Sequence, residues 1–148
     1  MTQTTTAINA CDAAIWLDTA AGVLTDISGS SNSINMDFDN ELGMLRNFSS
    51  RWPIRLECGK DATFALTAVY TTANNEAVSI LKNWFFNTPG NRTLKVYLPD
   101  KNVGSDVYSG EFRLEKLSIP AESGKADPIM VSATLLPNGA VTLTTNAT

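Results

Sequence analysis

The sequence predicts a mainly β domain, a β-sandwich or barrel of about eight to ten short strands with one α-helix packed on it. Three observations lead there. Apolar and polar residues alternate over short runs in both halves of the chain. Gly-, Asn-, Asp- and Pro-containing turn signals separate those runs. A single segment near the middle carries apolar residues at helical spacing. The 148 residues suit one domain and suffice to bury a core without metal or disulfide support.

Residues 1–11 are polar and Thr-rich and read as a flexible N-terminal arm, ahead of a single β domain over 12–148. Ala13, Ile15 and Leu17 alternate with Ala14 and Trp16, and Gly22 leads into a second strand from Val23 to Ile27. The cluster from Ser28 to Asn32 is a turn or loop. Ile34, Met36 and Phe38 alternate with Asn35, Asp37 and Asp39, the pattern of a half-buried strand. Residues 39–53 mix apolar and basic side chains without steady periodicity and form a long loop or an extended hairpin. Ile54 and Leu56 resume a strand, Gly59-Lys60-Asp61 reads as a turn, and Phe64, Leu66, Ala68 and Tyr70 give the clearest strand of the first half.

The helix is predicted over 74–87, capped by Asn74 or Asn75 with Glu76 in the first turn near the positive dipole end. Ala77, Ile80, Leu81, Trp84 and Phe85 then form one apolar face. Leu94, Val96 and Leu98 alternate before the turn Pro99-Asp100-Lys101-Asn102. Phe112 and Leu114 lie on even positions, but Leu117 and Ile119 on odd ones. A change of phase needs one extra residue, which predicts a β-bulge near Glu115-Lys116. After a polar loop from Pro120 to Pro128, Ile129 to Leu135 alternates again. Asn138-Gly139 signals a C-terminal hairpin completed by Val141 and Leu143.

Composition narrows function. The chain has no histidine, which removes the usual general base and the commonest metal ligand, and with them Ser-His-Asp and Cys-His machinery. No catalytic, metal-binding or cofactor-binding set is predicted. Ser79-Ile80-Leu81-Lys82 matches the S-x-x-K pattern of penicillin-recognising enzymes without its companion motifs, and reads as the helix's polar side. Cys11 and Cys58 stand in no redox or metal spacing and read as free thiols. No apolar run is long enough to cross a bilayer, and the N-terminus has no secretory pattern, so cytosolic synthesis is expected. Charge is unevenly placed. Residues 1–45 hold Asp12, Asp18, Asp26, Asp37, Asp39 and Glu41 but none of the 11 bases. Asp37, Asp39 and Glu41 stand at period two and can share one strand face. Trp52, between Arg51 and Arg55 in the aperiodic segment, is the aromatic best placed for protein–protein contact.

The order of these segments resembles the major tail tube proteins of long-tailed, siphovirus-like bacteriophages, and more loosely the tube proteins of contractile injection systems. The likeness runs from Ile15-Trp16-Leu17-Asp18 through the segment Gly22–Gly29 to the strand at Ile34-Asn35-Met36. Glu41-Leu42 then opens a long excursion. Gly59-Lys60-Asp61-Ala62 leads into an alternating strand, and a helix beginning Asn-Asn-Glu-Ala and a β C-terminus complete the pattern. Arg46, Arg51, Arg55 and Trp52 stand where such proteins often carry uncharged, Thr-rich residues.

The resemblance implies a structural virion protein and no enzyme. It would self-assemble into hexameric rings stacked as a tube around a channel for DNA passage into the host. The implied partners are further copies of the chain, tape-measure, terminator and baseplate or tip proteins, and double-stranded DNA passing without specific binding; no membrane and no cofactor are implied. The implied location is the virion tail, with the host cytoplasm during assembly. Candidates for contacts between subunits and rings are Glu41, Leu42, Met44, Arg46, Phe48, Arg51, Trp52 and Arg55, together with the N-terminal arm. Asp37 and Asp39 are candidates for facing the lumen, where acidic groups would keep phosphates from binding. The alternatives are a tail terminator or head–tail connector, and a ligand-binding surface β-sandwich.

Overall fold

The computed structural model describes residues 9, 11–19, 22–49, 51–124 and 126–147. Most of the predicted N-terminal arm lies outside these described residues. The chain forms β1 (Ala14–Asp18), β2 (Leu24–Asp26), a short 3-10 turn (Ser28–Ser30), β3 (Ser31–Leu45), β4 (Ile54–Val69), α1 (Ala77–Phe86), β5 (Arg92–Leu98), β6 (Asp106–Ser118), β7 (Met130–Pro137) and β8 (Thr142–Thr145). The mainly β class with one helix is therefore present, although β3, β4 and β6 run to 15, 16 and 13 residues, not the short strands expected.

All strands join one antiparallel sheet in the order β2-β1-β5-β6-β7-β4-β3, with β8 added beside β6. The sheet curls so that inner-face side chains on separated strands meet. Phe64 on β4 lies 4.6 Å from Phe112 on β6 between ring centroids, and Phe38 on β3 lies 6.0 Å from Tyr108. Alternation supplies the filling. Ile15 and Leu17, Phe64 and Leu66, Leu94 and Val96, Val131 and Leu135 all point inward and are buried. The helix closes the core with Ala77, Val78, Ile80, Leu81 and Trp84.

The β-bulge expected near Glu115 is present: Leu114 faces Leu135 and Lys116 faces Thr134, so Glu115 is the extra residue. Three expectations fail. Gly59-Lys60-Asp61 is no turn; it lies inside β4, paired with Glu41, Asn40 and Asp39. Asn138-Gly139 makes no hairpin. β7 pairs with residues 112–118 of β6 and β8 with residues 106–109, so the two strands run in line along the same neighbour. Asn138 N donates to Glu111 O at 2.8 Å, Gly139 takes φ 130°, and the chain steps sideways and resumes. Gly110 makes room for that step, since a Cβ there would sit 3.4 Å from Ala140 O.

The helix also begins later than predicted. Asn75 has φ 63° and forms the preceding turn; Glu76 takes the cap position without a capping side-chain bond. The free N–H of Ala77 donates instead to Ser30 Oγ at 2.9 Å, so the 3-10 turn caps the helix from across the fold. Val78 takes the buried place expected for Phe85, which is 48% exposed.

Candidate assembly surfaces

Beyond Phe38 and Ala62 the β3–β4 ladder leaves the body of the sheet. Asp39–Leu45 pairs with Ile54–Asp61, and every side chain in this distal portion is exposed. Seven residues of strand extend about 20 Å. The pairing is continuous except at Cys58, an extra residue between the pairs Glu41↔Gly59 and Leu42↔Glu57.

That bulge changes which β4 residues share a face with β3. Leu42 and Met44 lie with Glu57 and Arg55 on the face continuous with the core side, where Asn40 Nδ2 donates to Glu57 Oε1 at 3.0 Å. Leu45, Ile54 and Leu56 lie on the opposite face. Both faces of the projecting ladder thus carry exposed apolar side chains. A two-stranded hairpin without a covered face is marginal in water.

The connection between the strands is basic and aromatic. Arg46, Arg51 and Arg55 are the charged residues between Leu42 and Leu56, with no acid among them. Phe48 is fully exposed and Trp52 is 83% exposed. Asn47 Oδ1 accepts from Ser49 N at 3.1 Å and Ser49 Oγ at 2.9 Å, folding the start of the turn.

At the hairpin's base the opposite charge gathers. Asp37, Asp39 and Glu41 share the face turned away from the core, and the register sets Asp61 directly opposite Asp39. Like charges paired across strands cost stability within an isolated fold. All ten residues singled out from the sequence therefore lie on one hairpin, though on two faces and a tip: Glu41 belongs with Asp37 and Asp39, while Leu42, Met44 and Arg55 face the other way. Leu45, Ile54, Leu56 and Asp61 lie on the same hairpin without being among the contact or lumen candidates. The signal for Leu45 is an apolar residue out of phase with Leu42 and Met44, which fits neither a half-buried strand nor a polar loop.

Two concave surfaces remain. A cleft of about 600 Å³ beside α1 is lined by Asn74, Asn75, Asn83, Lys82 and Arg92. On the other side, where β3 and β4 leave the body, adjoining hollows of about 170 and 400 Å³ lie against the β7–β8 step. Among the described residues no three His, Cys, Asp or Glu side chains are grouped to hold a metal ion, and no helix is long and apolar enough to cross a membrane. Cys11 and Cys58 are exposed, free thiols.

No protein-family model matches the sequence, and no curated protein does. Solved structures match over nearly the whole fold. A chain from the tail of an empty gene transfer agent particle, refined with C6 symmetry, superposes with a TM-score of 0.74 at 18% identity, covering 93% of this chain and 99% of that one. The SPP1 tail tube gives a TM-score of 0.71 at 10% identity over 96% of this chain and 80% of the other. A chain of the anti-feeding prophage tube-terminating cap gives 0.70 at 11% identity over 98% and 95%. The shared property is the fold, that of the tube and cap proteins in tails and contractile injection systems.

Proposed function

We propose that the chain is a subunit of a phage-type tail tube, forming hexameric rings that stack around a channel for DNA. The carrying observation is the projecting hairpin: both its faces and its tip hold large apolar residues that stay exposed among the described residues. Surfaces of this kind mark protein–protein contacts. The fold agreement with tail and tube chains at nearly full mutual coverage supports the same reading.

Sheet edges support a ring. Among the described residues β3 has a partner on one side only, and β6 beyond Phe112 has none on the β5 side. Two different open edges on one copy permit head-to-tail strand addition, which closes into a ring when the rotation suits. Asp37 and Asp39 lie on the sheet face turned from the core, and with Glu41 and Asp61 they would give a ring's inner wall a negative surface along which DNA slides without binding.

A tail terminator is the second reading, because a tube-terminating cap shares the fold equally well. Sedimentation velocity and negative-stain microscopy of the purified protein separate the two. Concentration-dependent growth into hollow filaments is the expected result. Single closed rings that never stack would indicate the terminator, and a monomer at all concentrations would sink both readings.

A further inference from the structure

We propose that Asn138-Gly139 is a site of spontaneous deamidation, where the folded protein converts on standing to an aspartate or isoaspartate form. This goes beyond the tube reading and does not depend on it. Asn138-Gly139 is the one Asn-Gly pair in the 148 residues. The structure leaves it open to the reaction. Both residues are exposed, and beyond its chain neighbours no atom lies within 4 Å of where a Gly139 Cβ would stand. The sidestep between β7 and β8 takes Gly139 out of the ladder, and its N–H has no hydrogen-bond partner among the described residues.

In the first step Gly139 N forms a bond to Asn138 Cγ, the Cγ–Nδ2 bond breaks, and the proton from Gly139 N leaves with Nδ2 as ammonia. Water then opens the cyclic imide at either carbonyl, giving aspartate or isoaspartate. The departing Nδ2 donates to Asn91 Oδ1 at 3.1 Å, and Arg113 Nε donates to that same oxygen at 2.8 Å. The new carboxylate therefore forms beside a guanidinium. The two products differ in what they do to the fold. Aspartate keeps the backbone path. Isoaspartate routes the chain through Cβ and adds one atom to a step fixed at both ends, by β7 on residues 112–118 of β6 and by β8 on residues 106–109. Gly110 is already close-packed there, with its Cβ position 3.4 Å from Ala140 O and Val141 Cγ2. The short β8, exposed at all four residues, is the part that yields.

Mass spectrometry of the purified chain, kept warm at mildly alkaline pH, tests this, with a urea-unfolded sample and Asn138→Gln beside it. The expected result is the mass gain of an NH2-to-OH exchange, mapped to Asn138 in the folded protein. It should run roughly tenfold ahead of any other asparagine, since each of the others precedes a residue whose side chain crowds the attack. Asn138→Gln should lose that first step, and isoaspartyl methyltransferase should label the unsubstituted chain but not the variant. In hydrogen exchange, the amides of residues 142–145 should lose protection in the isoaspartyl fraction. They should keep it in Asn138→Asp, which carries the charge without the extra backbone atom. Conversion at Asn138 only in the unfolded sample, or first at a different asparagine, would overturn the site. Unchanged exchange at β8 in the isoaspartyl fraction would overturn the displacement of that strand.

Discussion

Arg92 is 3% exposed, with its guanidinium 5.4 Å from the Trp84 ring centroid and Nη2 donating to Thr88 Oγ1 at 2.7 Å. Burial pushes its pKa below the usual guanidinium range, an effect that the nearby Asp18 carboxylate only partly offsets. This one side chain ties the end of α1 to β5. Arg92→Ala should cost about 2–3 kcal/mol and lower Tm by roughly 10 °C, and Arg92→Lys should recover less than half, because an ammonium lacks the flat fork that stacks on Trp84. Thermal melts of the two variants check this. Asp26 makes a pH-dependent contribution. Partial burial works to raise its pKa, but hydrogen bonds from Ser28 Oγ and N and the Lys101 ammonium at 3.2 Å outweigh it, leaving the pKa lowered. A carboxylate with a lowered folded pKa stabilises above its unfolded value and loses that contribution as pH falls through the folded one. Stability should therefore decline below about pH 4, and Asp26→Asn should flatten that acid limb in denaturant titrations.

The hairpin behaves as an element that the rest of the fold does not need. Its distal strands contribute nothing to the buried core, so replacing residues 46–53 with a short Gly-containing turn should shift monomer stability by less than about 1 kcal/mol while abolishing assembly. Melting curves beside pelleting assays would show both effects; a protein that unfolds on this change would show the hairpin to be structural. The same element explains where sequence reading succeeded and failed. The bulge at Glu115 was legible because β6 and β7 are packed on one face, so an extra residue must shift the hydrophobic phase. Gly59-Lys60-Asp61 misled because neither hairpin face is covered, and without a core there is no alternation to outvote turn-forming residues. Asn138-Gly139 misled for a different reason. Its tolerance of positive φ serves a sidestep within one line of strand as well as a reversal, and only the partner strand decides which. The helix cap escaped detection because the oxygen that accepts from Ala77 N, Ser30 Oγ, lies 47 residues earlier in the chain.

At the scale of the whole molecule, charge follows architecture. A basic tip, an acidic base and two unlike open edges lie on one subunit, and each is costly or purposeless in a lone monomer. Asp39 opposite Asp61 is the sharpest instance, two carboxylates facing across a ladder on a surface that the tube reading turns toward DNA. Changing Asp37 and Asp39 to Lys should leave filaments intact but make them retain DNA at low salt, with retention falling steeply as salt rises; a filter-binding titration would read this. Much of this plan was visible in the sequence as an all-acidic first third and a basic, aromatic excursion, but the shared face and the bulge at Cys58 emerge only once β3 and β4 are in register. The measurement that tests the central claim most directly is cryo-electron microscopy of the assembled protein. A hollow filament of stacked rings in which residues 39–61 are covered on both faces by other copies is the expected result. A filament whose hairpins stand free in solvent, or a protein that stays monomeric at every concentration, would contradict it.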